Sequence, residues 1–193
     1  MTVLTLLSRL ERFRDIIAQT VISDRSSAPL PLEAGIDSLC QQLEHLRERR
    51  GQLYIIGNGG SAGVAAHAVT DFFNVARLRA STLHESSLLT CMANDYGYEN
   101  AFSRMLSQML SPEDMLVAIS SSGNSANIRN AVAAAREIGV FTVSLSGFQA
   151  ANPLRAMGDV NVWLDSHDYG FVEIGHQFIL HNLADRFNEK LKG

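Results

Sequence analysis

Cysteine is scarce in this chain. Cys40 and Cys91 are the only two among 193 residues, too few for a disulfide framework, and they read as reduced, structural thiols. A dominant charge is also missing: 16 Lys and Arg stand against 20 Asp and Glu, for a net charge of −4. That balance argues against the broad basic footprint that nucleic acid requires. No long apolar run is present either. The opening MTVLTLLSRLERFRDII has apolar residues at helical spacing, but charged side chains interrupt it early and no cleavage-type stretch follows. Neither a signal peptide nor a membrane span is therefore expected, and a soluble cytoplasmic protein is. Internal repeats and low-complexity segments are absent. With 46% hydrophobic residues, the chain can bury the core of one domain covering residues 1–193.

What is present is an alternation of elements. Two helical patterns lead, at residues 3–20 and 31–50, with SDRSSAPLP between them as a connector. The apolar run LYIIG (53–57) is too short for a helix and reads as a buried parallel strand. Similar runs recur at MLVAIS (115–120), VFTVSLSG (140–147) and VNVWLD (160–165), with a weaker one at 79–84. Helical patterns at 61–74, 100–110, 124–138 and 172–191 separate them. Strands alternating with helices predict right-handed crossovers: an α/β, doubly wound, five-stranded parallel sheet flanked by helices. The first helix adds an apolar stripe of Val3, Leu6, Leu7, Leu10, Phe13, Ile16 and Ile17, which can pack on the chain's own core, form a subunit interface, or do both.

Two loops carry the functional signal. GNGGSAG (57–63) and SSSGNS (120–125) each follow an apolar strand and open into a helix. Unpartnered N–H groups and the positive end of the dipole meet there, so both loops suit an anion. In the first, Gly59 and Gly60 let the backbone approach a ligand, Asn58 tolerates left-handed dihedrals, and Ser61 stands where an N-cap hydroxyl would point. The second supplies the hydroxyls of Ser120, Ser121, Ser122 and Ser125. No lysine pairs with a serine or threonine after the glycines, so this is not a Walker loop, and the dinucleotide spacing is missing too. A phosphomonoester held by neutral donors fits, and a nucleotide cofactor does not.

GNGGSA, then ANDYGY (93–98), then ISSSGNS, then TVSLSG resembles the sugar isomerase (SIS) domain family, in its phosphoheptose isomerase group, over nearly the whole chain. The resemblance implies a homotetramer or dimer built on the N-terminal helices and a sugar phosphate bound by Ser61, Ser120, Ser121, Ser122 and Ser125. Asn58, Asn94 and Asp95 match positions that line the same site. A partner-binding member of the family, the replication initiator-associating protein, supplies the competing expectation of a non-catalytic tetramer; it resembles the isomerase in its loops but lacks the catalytic pair.

Acid–base chemistry has candidates on two helices. His67 and Asp71 lie at i, i+4 and share a face, while Glu173, Gln177 and His181 repeat at the same spacing on the last helix. These residues can supply an acid–base pair, Asp71 with His181, or four zinc ligands, His67, Asp71, Glu173 and His181. Compared with the family pattern, Asp71 stands for a glutamate one methylene longer and Glu173 for a glutamine. An arginine of the pattern would align near Val75, the closest here being Arg77 and Arg79. Of the other histidines, His176 reads as a buried, hydrogen-bonded residue, and His45, His84 and His167 as solvated ones.

Overall fold

The structure, a computed structural model, describes residues 5–192; the expected helix start at residue 3 lies outside them. Helices α1 (Leu6–Ala18) and α2 (Leu32–Glu48) flank a hairpin of β1 (Val21–Asp24) and β2 (Pro29–Leu30). The alternating region follows as β3 (Gln52–Ile56), α3 (Gly60–Asn74), β4 (Arg79–Ser81), α4 (Ser86–Tyr96), α5 (Ala101–Met109), β5 (Met115–Ser120), α6 (Ala126–Ile138), β6 (Phe141–Ser146), β7 (Val160–Trp163) and α7 (Tyr169–Lys192).

All seven strands join one sheet in the order β2-β1-β7-β6-β5-β3-β4. The expected five parallel strands are its β7-β6-β5-β3-β4 portion. The stretch taken as a plain connector corrects the strand count. Val21–Asp24 pairs antiparallel with β7, and Pro29–Leu30 pairs with β1. The turn between them is closed by the Asp24 carboxylate, which accepts from the N–H groups of Ser26 and Ala28, so polar turn residues that suggested a loop instead fold an edge hairpin. Helix α4 also had no counterpart in the sequence pattern. None of its residues is buried, and without a buried stripe it has no apolar period to detect.

Strand alternation divides the core in two. Leu53 and Ile55 of β3 point to the face covered by α2, α3 and α7, where they meet Leu39, Leu43, Phe72, Leu180 and Phe187. Tyr54 and Ile56 point the other way, toward Phe102 and Leu106 of α5 and Ile128 and Val132 of α6. The strand order reverses beside β3, because β4 lies on one side of it and β5 on the other. The crevice beyond the carboxyl ends of β3 and β5 is where such sheets bind ligands, and the two glycine- and serine-rich loops leave the sheet there.

Candidate functional site

A cavity of about 250 Å³ opens at that crevice, lined by Asn58, Gly59, Gly60, Ser61, Ile119, Ser120, Ser121, Ser122, Ser125, Tyr169 and Glu173. Gly59 has φ 52° and ψ −122° and forms the N-cap of α3, a backbone conformation that suits glycine. Ser61 is thus the second residue of the helix rather than its cap, and it lines the cavity. Ser125 does occupy the N-cap of α6, but its side chain makes no capping bond; its Oγ accepts from Ser120 Oγ at 3.2 Å instead. The Ser121 Oγ is buried and has no partner among the described residues. Two helix N-termini and unused hydroxyls therefore converge on one space, a geometry that suits an anion, with no lysine or arginine in its lining and one carboxylate, Glu173.

The second loop is braced from behind. Gly147 N–H donates to Ser121 O at 2.9 Å, and Leu154 N–H to Gly123 O at 3.2 Å. The buried Asn152 Nδ2 donates to Gly147 O and Gln149 O, while its carboxamide stands where a Cβ at Gly123 would go. Asn152 carries no motif signal, and its role appears only when β6 is placed next to β5.

Farther along α3 and α7 lies a cluster of titratable groups. His181 Nδ1 is 2.8 Å from Asp71 Oδ2, and His67 Nε2 is 3.4 Å from the same oxygen. The Asp71 side chain is 11% exposed whereas those of His67 and His181 are 59% and 50% exposed, so one buried carboxylate sits beneath two open imidazoles. The hydrogen bond that His181 donates to Asp71, reinforced by the charges of Asp71 and Asp185, holds the His181 pKa above its ordinary value. On the opposite side of α7, His176 is fully buried with Nε2 3.1 Å from Ser146 O, and burial pulls its pKa down to about 4. It is the hydrogen-bonded core histidine expected.

His67, Asp71 and His181 bring ligand atoms within 4.8 Å of one another. Glu173, the fourth expected ligand, is not among them. Its carboxylate lies against Gly60, where any Cβ would collide with it. The reason is helical: Glu173 and His181 are eight residues apart, a rise of about 12 Å, so Glu173 belongs to the cavity end of α7 and His181 to the far end. Asn94 and Asp95 are exposed on α4 and do not line the cavity; they bond to each other through Asn94 Nδ2 and Asp95 Oδ1. Arg79 donates to Arg50 O and Arg77 is exposed, so neither serves the site. His84 is half-buried rather than solvated, edge-on to Phe102, with its Nε2 3.4 Å from Gly57 N. Tyr169, absent from the sequence expectations, completes the cavity wall with Phe148 packed edge-on at 4.8 Å.

Residues 26–147 match the SIS domain family. The chain is 32% identical to a phosphoheptose isomerase of Trichlorobacter lovleyi over 84% of this chain and 85% of that one. With a phosphoheptose isomerase of Helicobacter pylori it shares 31% identity over 89% and 93% of the two chains. Among solved structures, the phosphoheptose isomerase of Neisseria gonorrhoeae superposes with a TM-score of 0.80 at 25% identity, covering 96% of this chain and all of that one, 100%. The matched domain, the identities over most of both lengths and the shared sheet agree: the chain belongs to the SIS domain family, in its phosphoheptose isomerase group.

Proposed function

We propose that this protein is an aldose–ketose isomerase that converts sedoheptulose 7-phosphate into D-glycero-D-manno-heptose 7-phosphate, in the cytoplasm, for the heptose precursors of surface polysaccharide. The observation that carries this reading is the placement of two different sites along one helix pair. Neutral donors collect at the start of α3 beside Glu173, and the Asp71–His181 pair, at 2.8 Å, stands about 12 Å farther along α7. A long sugar phosphate suits that separation, since its phosphate and its reacting carbons are at opposite ends.

In this reading the phosphate accepts hydrogen bonds from Ser61, Ser120, Ser121, Ser122 and Ser125 and from the N–H groups at the starts of α3 and α6. Glu173, too close to the cradle to be a partner of the phosphate, accepts hydrogen bonds from sugar hydroxyls. Asp71 removes the proton from the carbon next to the carbonyl, and protonated His181 gives its proton to the carbonyl oxygen, producing the enediol. Returning the proton from Asp71 to the former carbonyl carbon, while His181 recovers one from the hydroxyl on the carbon first deprotonated, yields the aldose. His67, Asp71 and His181 fit Zn²⁺, since three protein ligands with an open position make a catalytic site. Zinc bound there would replace the His181 proton as the group that polarises the carbonyl oxygen, acting as a Lewis acid, since a ligating imidazole is unprotonated at its metal-bound nitrogen.

Assembly into a homotetramer or dimer is part of the proposal. The apolar stripe of α1 divides in two: Ile16 is buried and Phe13 and Ile17 pack on the core, whereas Leu6, Leu7 and Leu10 are exposed, as are Ile174 and Phe178 of α7. Phe13 and Phe178 touch edge to face, so the exposed parts of both helices adjoin, and a second copy would cover them. Direct assay of sedoheptulose 7-phosphate consumption tests the function, and full activity in an Asp71→Ala protein would remove the mechanism.

A further inference from the structure

We infer that Asn127 is a positioning residue, whose paired amide with Asn58 locks the two anion-binding loops into a single cradle, with Tyr98 as the outer latch. The inference rests on the sugar-phosphate reading of the cavity and adds to it a residue that neither loop motif contains. Asn127 lies in the first turn of α6, is 3% exposed, and belongs to no part of the cavity lining. Its Nδ2 donates to Asn58 Oδ1 at 2.9 Å, and Asn58 Nδ2 donates back to Asn127 Oδ1 at 2.9 Å. The Ile128 N–H donates to that same Asn127 Oδ1 at 3.0 Å. Because a backbone N–H can only donate, this bond fixes which end of the Asn127 amide is oxygen, and the reciprocal pair then fixes Asn58. Tyr98 hydroxyl completes the group by donating to Asn58 Oδ1 at 2.8 Å.

The pair spans 69 residues of sequence and ties the first loop, where its geometry is least determined, to the first turn of α6. Asn58 stands between Gly57 and Gly59, followed by Gly60, so the first loop has little side-chain packing and much backbone freedom to lose. Asn127 follows Ser125 by two residues on a helix whose Ile128, Ala131 and Val132 are fully buried. Tying the free loop to the rigid helix sets the distance between Ser61 and the Ser120–Ser125 pair. Tyr98 extends the tie to the turn after α4. The helix itself has no buried residue, and Asn94 and Asp95 lie on it.

A residue that only glues the fold together would lower the melting temperature and the active fraction but leave affinity alone. A residue that sets the cradle changes affinity. The test therefore compares inorganic phosphate binding by calorimetry, together with kcat and KM on sedoheptulose 7-phosphate, in the wild type, Asn127→Leu and Tyr98→Phe. For Asn127→Leu we expect the phosphate Kd and the KM to rise about tenfold while kcat changes less than about threefold. Tyr98→Phe, which alters one hydroxyl on a residue 48% exposed and so keeps the fold, should raise both about two- to threefold. In the double variant Asn58→Leu with Asn127→Leu, the loss should be no larger than in Asn58→Leu alone, because the Asn127 amide acts only through that shared pair. Phosphate Kd values in Tyr98→Phe and in any folded Asn127 variant equal to the wild type overturn the inference. Should the wild type bind phosphate but not turn over the sugar, the isomerase reading falls and the phosphate measurements still decide the lock; a wild type that binds no phosphate overturns both.

Discussion

The two ends of the α3–α7 seam are built on different principles. At the cavity end every expected donor is a backbone N–H or a neutral hydroxyl, set by the carboxyl ends of β3 and β5 at the point where the sheet changes direction. At the far end the groups are titratable, come from the faces of two helices, and depend on a single buried carboxylate under two exposed imidazoles. The first end is fixed before any ligand arrives, because the sheet and its buried neighbours determine it. The second exists only because α3 and α7 pack side by side, so small changes in side-chain length or helix position act directly on it. The proposed function separates recognition from chemistry, so substitutions should affect KM at one end and kcat at the other.

The largest effect is expected at the far end. Asp71→Asn keeps shape and hydrogen bonding but removes the base, and should lower kcat about a thousandfold with inorganic phosphate affinity unchanged; a parallel loss of phosphate binding would show that the two ends are not separable. The next prediction concerns what they share. His176 ties α7 to Ser146 at the end of β6 and is neutral when folded, with a pKa of about 4 against an ordinary 6.5. Below pH 6.5 the unfolded chain takes up a proton that the folded chain refuses, so stability is full above that pH and declines as pH falls toward 4. The total is about 3 kcal/mol. Thermal melts of wild type and His176→Asn across this range should differ in pH slope, and identical slopes would contradict the assignment. At the cavity end, Ser121→Ala removes a buried, unpartnered hydroxyl and should raise KM about tenfold with kcat nearly constant. The smallest change is Glu173→Gln, which takes a negative charge out of the cavity wall and should tighten inorganic phosphate binding about threefold. Weaker phosphate binding in this variant would mean that the carboxylate supports the cradle rather than standing beside the sugar.

Legibility in the sequence followed the same division. The cradle could be read because each loop is contiguous: GNGGSAG and SSSGNS hold their strand end, turn glycines and helix start within a few residues. The five parallel strands were legible as short apolar runs for the same reason. The acid–base cluster was legible only as two separate i, i+4 stripes; Asp71 and His181 are 110 residues apart, and nothing local says that their helices touch. Spacing and the family pattern also placed Glu173 with His181, whereas the Glu173 carboxylate lies against Gly60, outside the His67–Asp71–His181 group. Helix α4 and the β1–β2 hairpin escaped because neither has an apolar period, one for want of buried residues and the other because it is four residues and two. Asn127 and Asn152 act through partners far away in the chain, so they have no signature at all.

In the proposed function this seam carries out isomerisation, with phosphate held at one end and protons moved at the other. Following sedoheptulose 7-phosphate by proton NMR in deuterated water, with wild type and Asp71→Asn side by side, tests it most directly. The wild type should convert the sugar to the aldose, with deuterium entering at the carbon next to the carbonyl, and Asp71→Asn almost none of it although phosphate still binds. A folded wild-type protein that binds phosphate, yet neither converts the sugar nor exchanges that hydrogen, would contradict it.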